Sequence, residues 1–199
     1  MFMFLAAALL TPPEPINPVA WFSDANWQQL LAGKTDHGLV RIRVTVSPAG
    51  EAQDCFVEAT SGLPKLDSLT CELVMKRARF KPAKWNDDKP AFAIYRRNVL
   101  WADGDSFDYS RPIDVEVSVD RLPRHVHSPV AVGVRFAVSA DGTRSSCEAA
   151  DKDANPALAS IACQQVLASY PAIPARDANR NPVSSIQNAV VSFVTDQPK

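Results

Sequence analysis

The residues best placed to do chemistry are four cysteines with a regular spacing. Cys55 and Cys71 are 16 apart, and so are Cys147 and Cys163. A pair of thiols can form a disulfide, hold zinc or carry electrons. Zinc and redox pairs favour C-x-x-C spacings or nearby histidine ligands, and neither occurs here. Structural disulfides in an oxidising compartment are the favoured reading, with free buried thiols the alternative. His125 and His127 would share one face of a strand, but no third ligand accompanies them, so no metal is expected. No serine sits in a G-x-S-x-G elbow, and the 7 glycines form no phosphate-binding loop. No catalytic residue and no cofactor is expected, and the chain is not read as an enzyme. The run KRARFKPAK at 76–84 is basic and carries Phe80, a combination that can bind nucleic acid. Across the chain, however, 21 Lys and Arg stand against 22 Asp and Glu, a formal net charge of −1. A nucleic-acid binder normally shows a basic excess. The run reads instead as cations that suit a helix C-terminus.

The cysteine pairs are offset by 92 residues, and the same offset aligns much else. Val46-Ser47-Pro48-Ala49-Gly50 meets Val138-Ser139-Ala140-Asp141-Gly142. Pro64 meets Pro156, Leu66 meets Leu158, Val74 meets Val166, and Pro82-Ala83 meets Pro174-Ala175. A shared register of Cys, Pro and Gly marks a tandem duplication. The expected organisation is a signal-like apolar segment and Pro-rich lead at 1–21, unit 1 at 22–104, a linker at 105–111, and a diverged unit 2 at 112–199.

Each unit has the same plan. Val40, Ile42, Val44 and Val46 alternate with polar residues, as do Val132, Val134, Phe136 and Val138, which is the pattern of a half-buried strand. Gly50 and Gly142 mark the following turns. A second strand is expected at about 51–60 and 143–150. A helix then starts at Pro64 or Pro156, a residue suited to the first helical turn, and Pro82 and Pro174 prevent its continuation. A last strand closes each unit, at about 91–101 and 184–195. Ser23–Gly33 reads as a further short helix, and IDVEVSVDRLP alternates like a strand. The expected fold is α+β: two tandem β-β-α-β units, each a small antiparallel sheet with one helix packed on a face.

This plan positions the sulfurs. Cys55 shares a strand face with Val57 and Ala59, and Cys71 shares a helix face with Val74 and Ala78. Both therefore point into the layer between sheet and helix, and the spacing predicts the bridges Cys55–Cys71 and Cys147–Cys163. Closing a loop of this length stabilises a fold by about 3 kcal/mol. Gly62, between the second strand and the helix, meets Ala154 in the second copy, so small size rather than an unusual backbone angle is the expected requirement there.

The N-terminal run MFMFLAAALL is 10 apolar residues long, too short to span a bilayer but long enough for the core of an export signal. No basic residue precedes Lys34, so the usual positive flank is missing. Together with the cysteines the run points to export, with membrane contact at most through this segment.

Thr60-Ser61-Gly62, Leu66-Asp67, Cys71, Arg77-Ala78-Arg79-Phe80 and Pro82-Ala83, ahead of a closing strand ending Val99-Leu100-Trp101, resemble the C-terminal domain of TonB, the periplasmic energy transducer, in a disulfide-bearing form. Unit 2 keeps the cysteines and prolines and loses most of the rest. The resemblance implies a periplasmic, non-enzymatic module that binds a protein or peptide, such as a segment of an outer-membrane receptor, by strand addition. It implies a peptide-binding edge at Tyr95, Arg96, Arg97, Asn98 and Val99, with unit 1 binding and unit 2 supporting it. A homodimer is compatible with it. The chain shows neither a spanning helix nor a long Pro/Lys/Glu-rich spacer, so force transmission from an inner-membrane motor is not expected. The other reading is a structural or oligomerising envelope protein whose strand edges pair within the chain.

Overall fold

The computed structural model describes residues 10–23, 38–101, 112–171 and 173–195. The apolar run at 1–9, the helix expected after Ser23 and the linker at 105–111 lie outside the described residues.

β1 (Gly38–Val46) forms where valine and isoleucine alternate with polar residues, and Val40, Ile42, Val44 and Val46 are all buried. It turns at Gly50 into β2 (Ala52–Ala59), which pairs antiparallel with it. α1 (Pro64–Arg77) starts on a proline and ends on Lys76 and Arg77, which complement the negative end of the helix dipole. β3 (Pro90–Trp101) returns antiparallel to β1, from Val46 opposite Ala93 to Gly38 opposite Trp101. Leu66, Val74, Val99 and Trp101 fill the layer between helix and sheet. There the Trp101 indole N–H donates to Thr70 Oγ1 at 2.9 Å, so the buried polar end of the ring is satisfied.

The second half repeats the succession after an added strand. β4 (Val115–Val119) is the alternating segment read from the sequence. β5 (Val130–Val138), β6 (Arg144–Ala149), α2 (Pro156–Ser169) and β7 (Ser185–Thr195) follow. Val132, Val134, Phe136, Val166, Val191 and Phe193 form its core.

The structure differs from expectation in how the halves meet. Two separate antiparallel sheets were expected; one mixed sheet is found, in the order β2-β1-β3-β7-β5-β6. Ala83–Lys84 adds to β3, and β4 adds to β7 in parallel, making eight strands. The two closing strands join in parallel, Phe92 beside Ser185 and Ala93 beside Ile186. The physical reason is that an uncovered closing strand leaves a row of unpaired N–H and C=O groups, and pairing two such edges removes part of both. Side-chain alternation then fixes the faces. Ala93 shares the side of β3 that carries Tyr95, Val99 and Trp101 under α1, and it packs with Ile186. Ile186 points away from Ala189, Val191 and Phe193, which lie under α2. The two helices therefore sit on opposite faces of one sheet.

Candidate functional site

Both cysteine pairs are bridged within their own half, Cys55–Cys71 and Cys147–Cys163, with Cα atoms 5.5 Å apart in each. Each bridge ties the outermost strand of its half, β2 or β6, to the middle of its helix. Gly50, Gly62 and Gly142 all adopt positive φ. At Gly62 this overturns the size argument. φ is 83° and an added Cβ would meet nothing within 4 Å, so the backbone angle, not crowding, requires glycine. Ala154 carries no such angle, so the two turns differ in conformation as well as composition. Asp67 organises the first of them, accepting from the Ser61 N–H and hydroxyl and from Thr60.

Of the proposed edge residues, the structure puts Tyr95 and Val99 in the core under α1, 7% and 1% exposed. Their side chains are thus committed to packing, Tyr95 edge-on to Phe80 and Trp21. Arg97 lies over the Tyr95 ring, and its Nε donates to the phenol oxygen at 2.8 Å. Arg96 and Asn98 point to the opposite face. One side of β3 is taken by β1 along Ala93–Trp101. The other meets β7 at Phe92–Ala93, then borders a crevice of only about 40 Å³ walled by Pro12, Pro13, Pro15 and Asn188.

The face of β1, β2 and β3 turned away from α1 holds a cluster of charged residues, and most of it was missed in the sequence. Arg43 stands directly across from Arg96 on one side and from Phe56 on the other. Like charges opposed across strands repel, and Glu58 lies between them. Its Oε1 is 3.1 Å from Arg96 Nε and 3.8 Å from Arg43 Nε. A β-bulge aims it there: Ile42 pairs with Val57 and Arg41 with Ala59, so Glu58 is the extra residue. Arg43 also stacks on Phe56, 5.0 Å from the ring centroid. Arg41 Nε donates to Asn98 Oδ1 at 3.3 Å.

The other half contributes the rest of the cluster. Tyr170, just past α2, lies under the Arg96 guanidinium at 5.7 Å. Its hydroxyl donates to Asp114 Oδ1 at 3.3 Å, and Asp114 Oδ2 accepts from the Val190 N–H at 2.8 Å. Burial pushes the Asp114 carboxyl up, with the Val190 hydrogen bond and Arg96 pulling the other way. Burial likewise pushes the Tyr170 phenol up to about 12, against the pull of Arg96. A hollow of about 410 Å³ opens over this cluster. The signal in the sequence was Arg41 and Arg43 on the polar side of an alternating strand. What periodicity does not show is that Tyr170 and Asp114 arrive from 70 or more residues away.

A larger hollow, about 1020 Å³, lies beside Val130–Gly133 and the turn into α2. Asp151, Lys152 and Asp153 on its rim are exposed to solvent, and Arg135, half-buried, lines it as well. Among the described residues no helix is long and apolar enough to cross a membrane, and no cluster of His, Cys, Asp or Glu could hold a metal ion.

Residues 31–101, the stretch that contains β1, β2, α1 and β3, match the family described as Gram-negative bacterial TonB protein C-terminal. No curated protein and no solved structure matches the chain at a significant level.

Proposed function

We propose, from the match over residues 31–101, that the chain is a non-enzymatic protein of the bacterial cell envelope that binds extended segments of other proteins. The reading includes export to the periplasm, which two disulfides suit. It also treats the halves as tandem TonB-C-like units. The 92-residue offset supports this, as does the like succession of strand, strand, helix and strand. Segments of outer-membrane receptors are the proposed partners, and TonB-dependent transport the proposed setting. Unit 1, where the match lies, is the binding half, and unit 2 supports it.

Strand addition draws affinity from main-chain hydrogen bonds and specificity from alternate side chains. Tyr95, Arg96, Asn98 and Val99 are all buried, so along β3 the main chain supplies the affinity in this reading, and the side chains that read a partner are those of the neighbouring strands on the face away from α1. The test is titration of the full chain with synthetic periplasmic segments of outer-membrane receptors, followed by calorimetry. Saturable binding at one segment per chain is expected. A second reading, a structural envelope protein, draws on the β3–β7 pairing, which joins the two closing strands just ahead of the proposed edge. Absence of binding by every receptor segment would leave that reading in place. N-terminal sequencing of protein recovered from the periplasmic fraction checks export.

A further inference from the structure

The face built on Arg43, Phe56 and Arg96 has more cationic groups than its own carboxylates can satisfy. Arg41, Arg43 and Arg96 line the hollow, against Glu58 and Asp114. Asp114 is engaged by the Val190 N–H and the Tyr170 hydroxyl. Glu58 is shared through a single oxygen by Arg43 and Arg96. Nη1 of each of these two arginines is buried and has no acceptor, and Arg96 is only 5% exposed. A guanidinium presents a planar fork of donors that matches a carboxylate in two places at once. The cluster lacks one such acceptor.

The surroundings are apolar and open to solvent. Phe56, Ile113 and Ile173 rim the same hollow and are 55%, 45% and 49% exposed, and Leu39 is exposed on the same face of β1. Exposed apolar side chains gathered in one place mark a contact surface. The other half of the molecule provides an internal comparison. Arg135, the counterpart of Arg43 at the 92-residue offset, pairs with Glu148 at 2.9 Å and donates through Nη2 to the Ala149 and Ala150 carbonyls, and Glu148, whose Oε1 also accepts from the Leu10 N–H, stands where unit 1 has Phe56. Two arginines opposed across strands and sharing one carboxylate oxygen beside an exposed ring thus occur at these positions in the first half, where the second has one arginine with its own glutamate opposite.

We propose that this face is a docking surface for a protein segment that brings an Asp or Glu side chain flanked by aliphatic residues. The carboxylate completes the Arg43–Arg96 pair, and the flanking side chains cover Phe56, Ile113 and Ile173. A free inorganic anion would meet the charge and leave the apolar rim wet, which is why the occupant is a protein segment. The inference rests on the protein-binding reading above and names the kind of partner it takes.

The test selects a phage-displayed library of random eight-residue peptides against the full chain. Enrichment of Asp or Glu with aliphatic neighbours is expected, with at least tenfold weaker binding when the selected acid is changed to its amide. Arg43→Gln and Phe56→Ser, each checked for an unchanged circular dichroism spectrum, should each weaken binding at least tenfold. Phe56 is exposed, so its variant serves even where Arg43→Gln disturbs folding. Millimolar inorganic phosphate should not displace the peptide. No acid enrichment, full binding by Phe56→Ser, or displacement by phosphate would each overturn the proposal. Receptor segments titrated against the same variants separate the two readings. Receptor binding unchanged by either variant overturns this docking surface and leaves protein binding standing, whereas no receptor binding to the unaltered chain removes the broader reading.

Discussion

Gly50 and Gly62 hold similar backbone angles, φ 80° and 83°, in different surroundings. A Cβ at Gly50 would lie 2.1 Å from the Phe80 carbonyl oxygen, whereas at Gly62 it would enter open space. Gly62→Ala is therefore expected to cost about 1 kcal/mol, the penalty of left-handed geometry for an L-residue, and Gly62→Val more, because a β-branched side chain tolerates that backbone angle least. Gly50→Ala must also push back the strand at Phe80, whose N–H donates to the Gly50 carbonyl, so it should cost clearly more in urea unfolding. Equal midpoints for the two alanine variants would contradict this. Asp67 gives a prediction in pH. Burial pushes its carboxyl up, but the donors on Thr60 and Ser61 outweigh burial and hold it below the usual range. A depressed folded value means that its contribution is present above about pH 4 and is lost as pH falls through that lower value. Asp67→Asn should flatten the acid side of the stability profile and leave the neutral-to-alkaline shape unchanged.

At the level of the elements, nearly all of each half was legible in the residues. The alternation at Val40–Val46 and Val132–Val138 placed β1 and β5 and identified their buried faces, and Pro64, Pro82, Pro156 and Pro174 bounded the helices. These are local signals, carried by spacing within a dozen residues. The bulge at Glu58 was not legible, because one extra residue in a strand leaves no compositional mark. The helix starts also differ in a way that the shared prolines hide. Asn155 caps α2 by accepting from the N–H groups of Ala157 and Leu158, while Leu63 gives α1 no side-chain cap. Each disulfide cross-links a strand to its helix over a 16-residue separation. The Cys55→Ala/Cys71→Ala double variant should lose about 3 kcal/mol, mainly through a freer unfolded chain. A urea midpoint unchanged from the parent protein would contradict that.

Across the whole molecule, the pairing of closing strands brings together groups that no local pattern links. This is why Arg41 and Arg43 looked like ordinary solvent-facing residues in the sequence. Tyr170 reports on that assembly. With its phenol raised to about 12 by burial, the folded state holds a proton that the unfolded chain releases near pH 10. The associated stability is present below about pH 10 and is lost as pH rises toward about 12. Tyr170→Phe should remove that alkaline decline, read as urea midpoints against pH. An identical decline in the variant would place the cause elsewhere. The parallel seam between β3 and β7, with α1 and α2 on opposite faces, has a further consequence. It is the arrangement a two-fold axis running along the strands would generate from two like halves. In a dimer of identical chains every substitution is made twice, and any face on one half is duplicated on the other. Within one covalent chain the halves are free of that symmetry, and one half can carry Phe56 at the position where the other carries Glu148. Binding stoichiometry then becomes a property of the gene rather than of assembly: a partner that needs the Arg43 face finds it once per chain at any protein concentration.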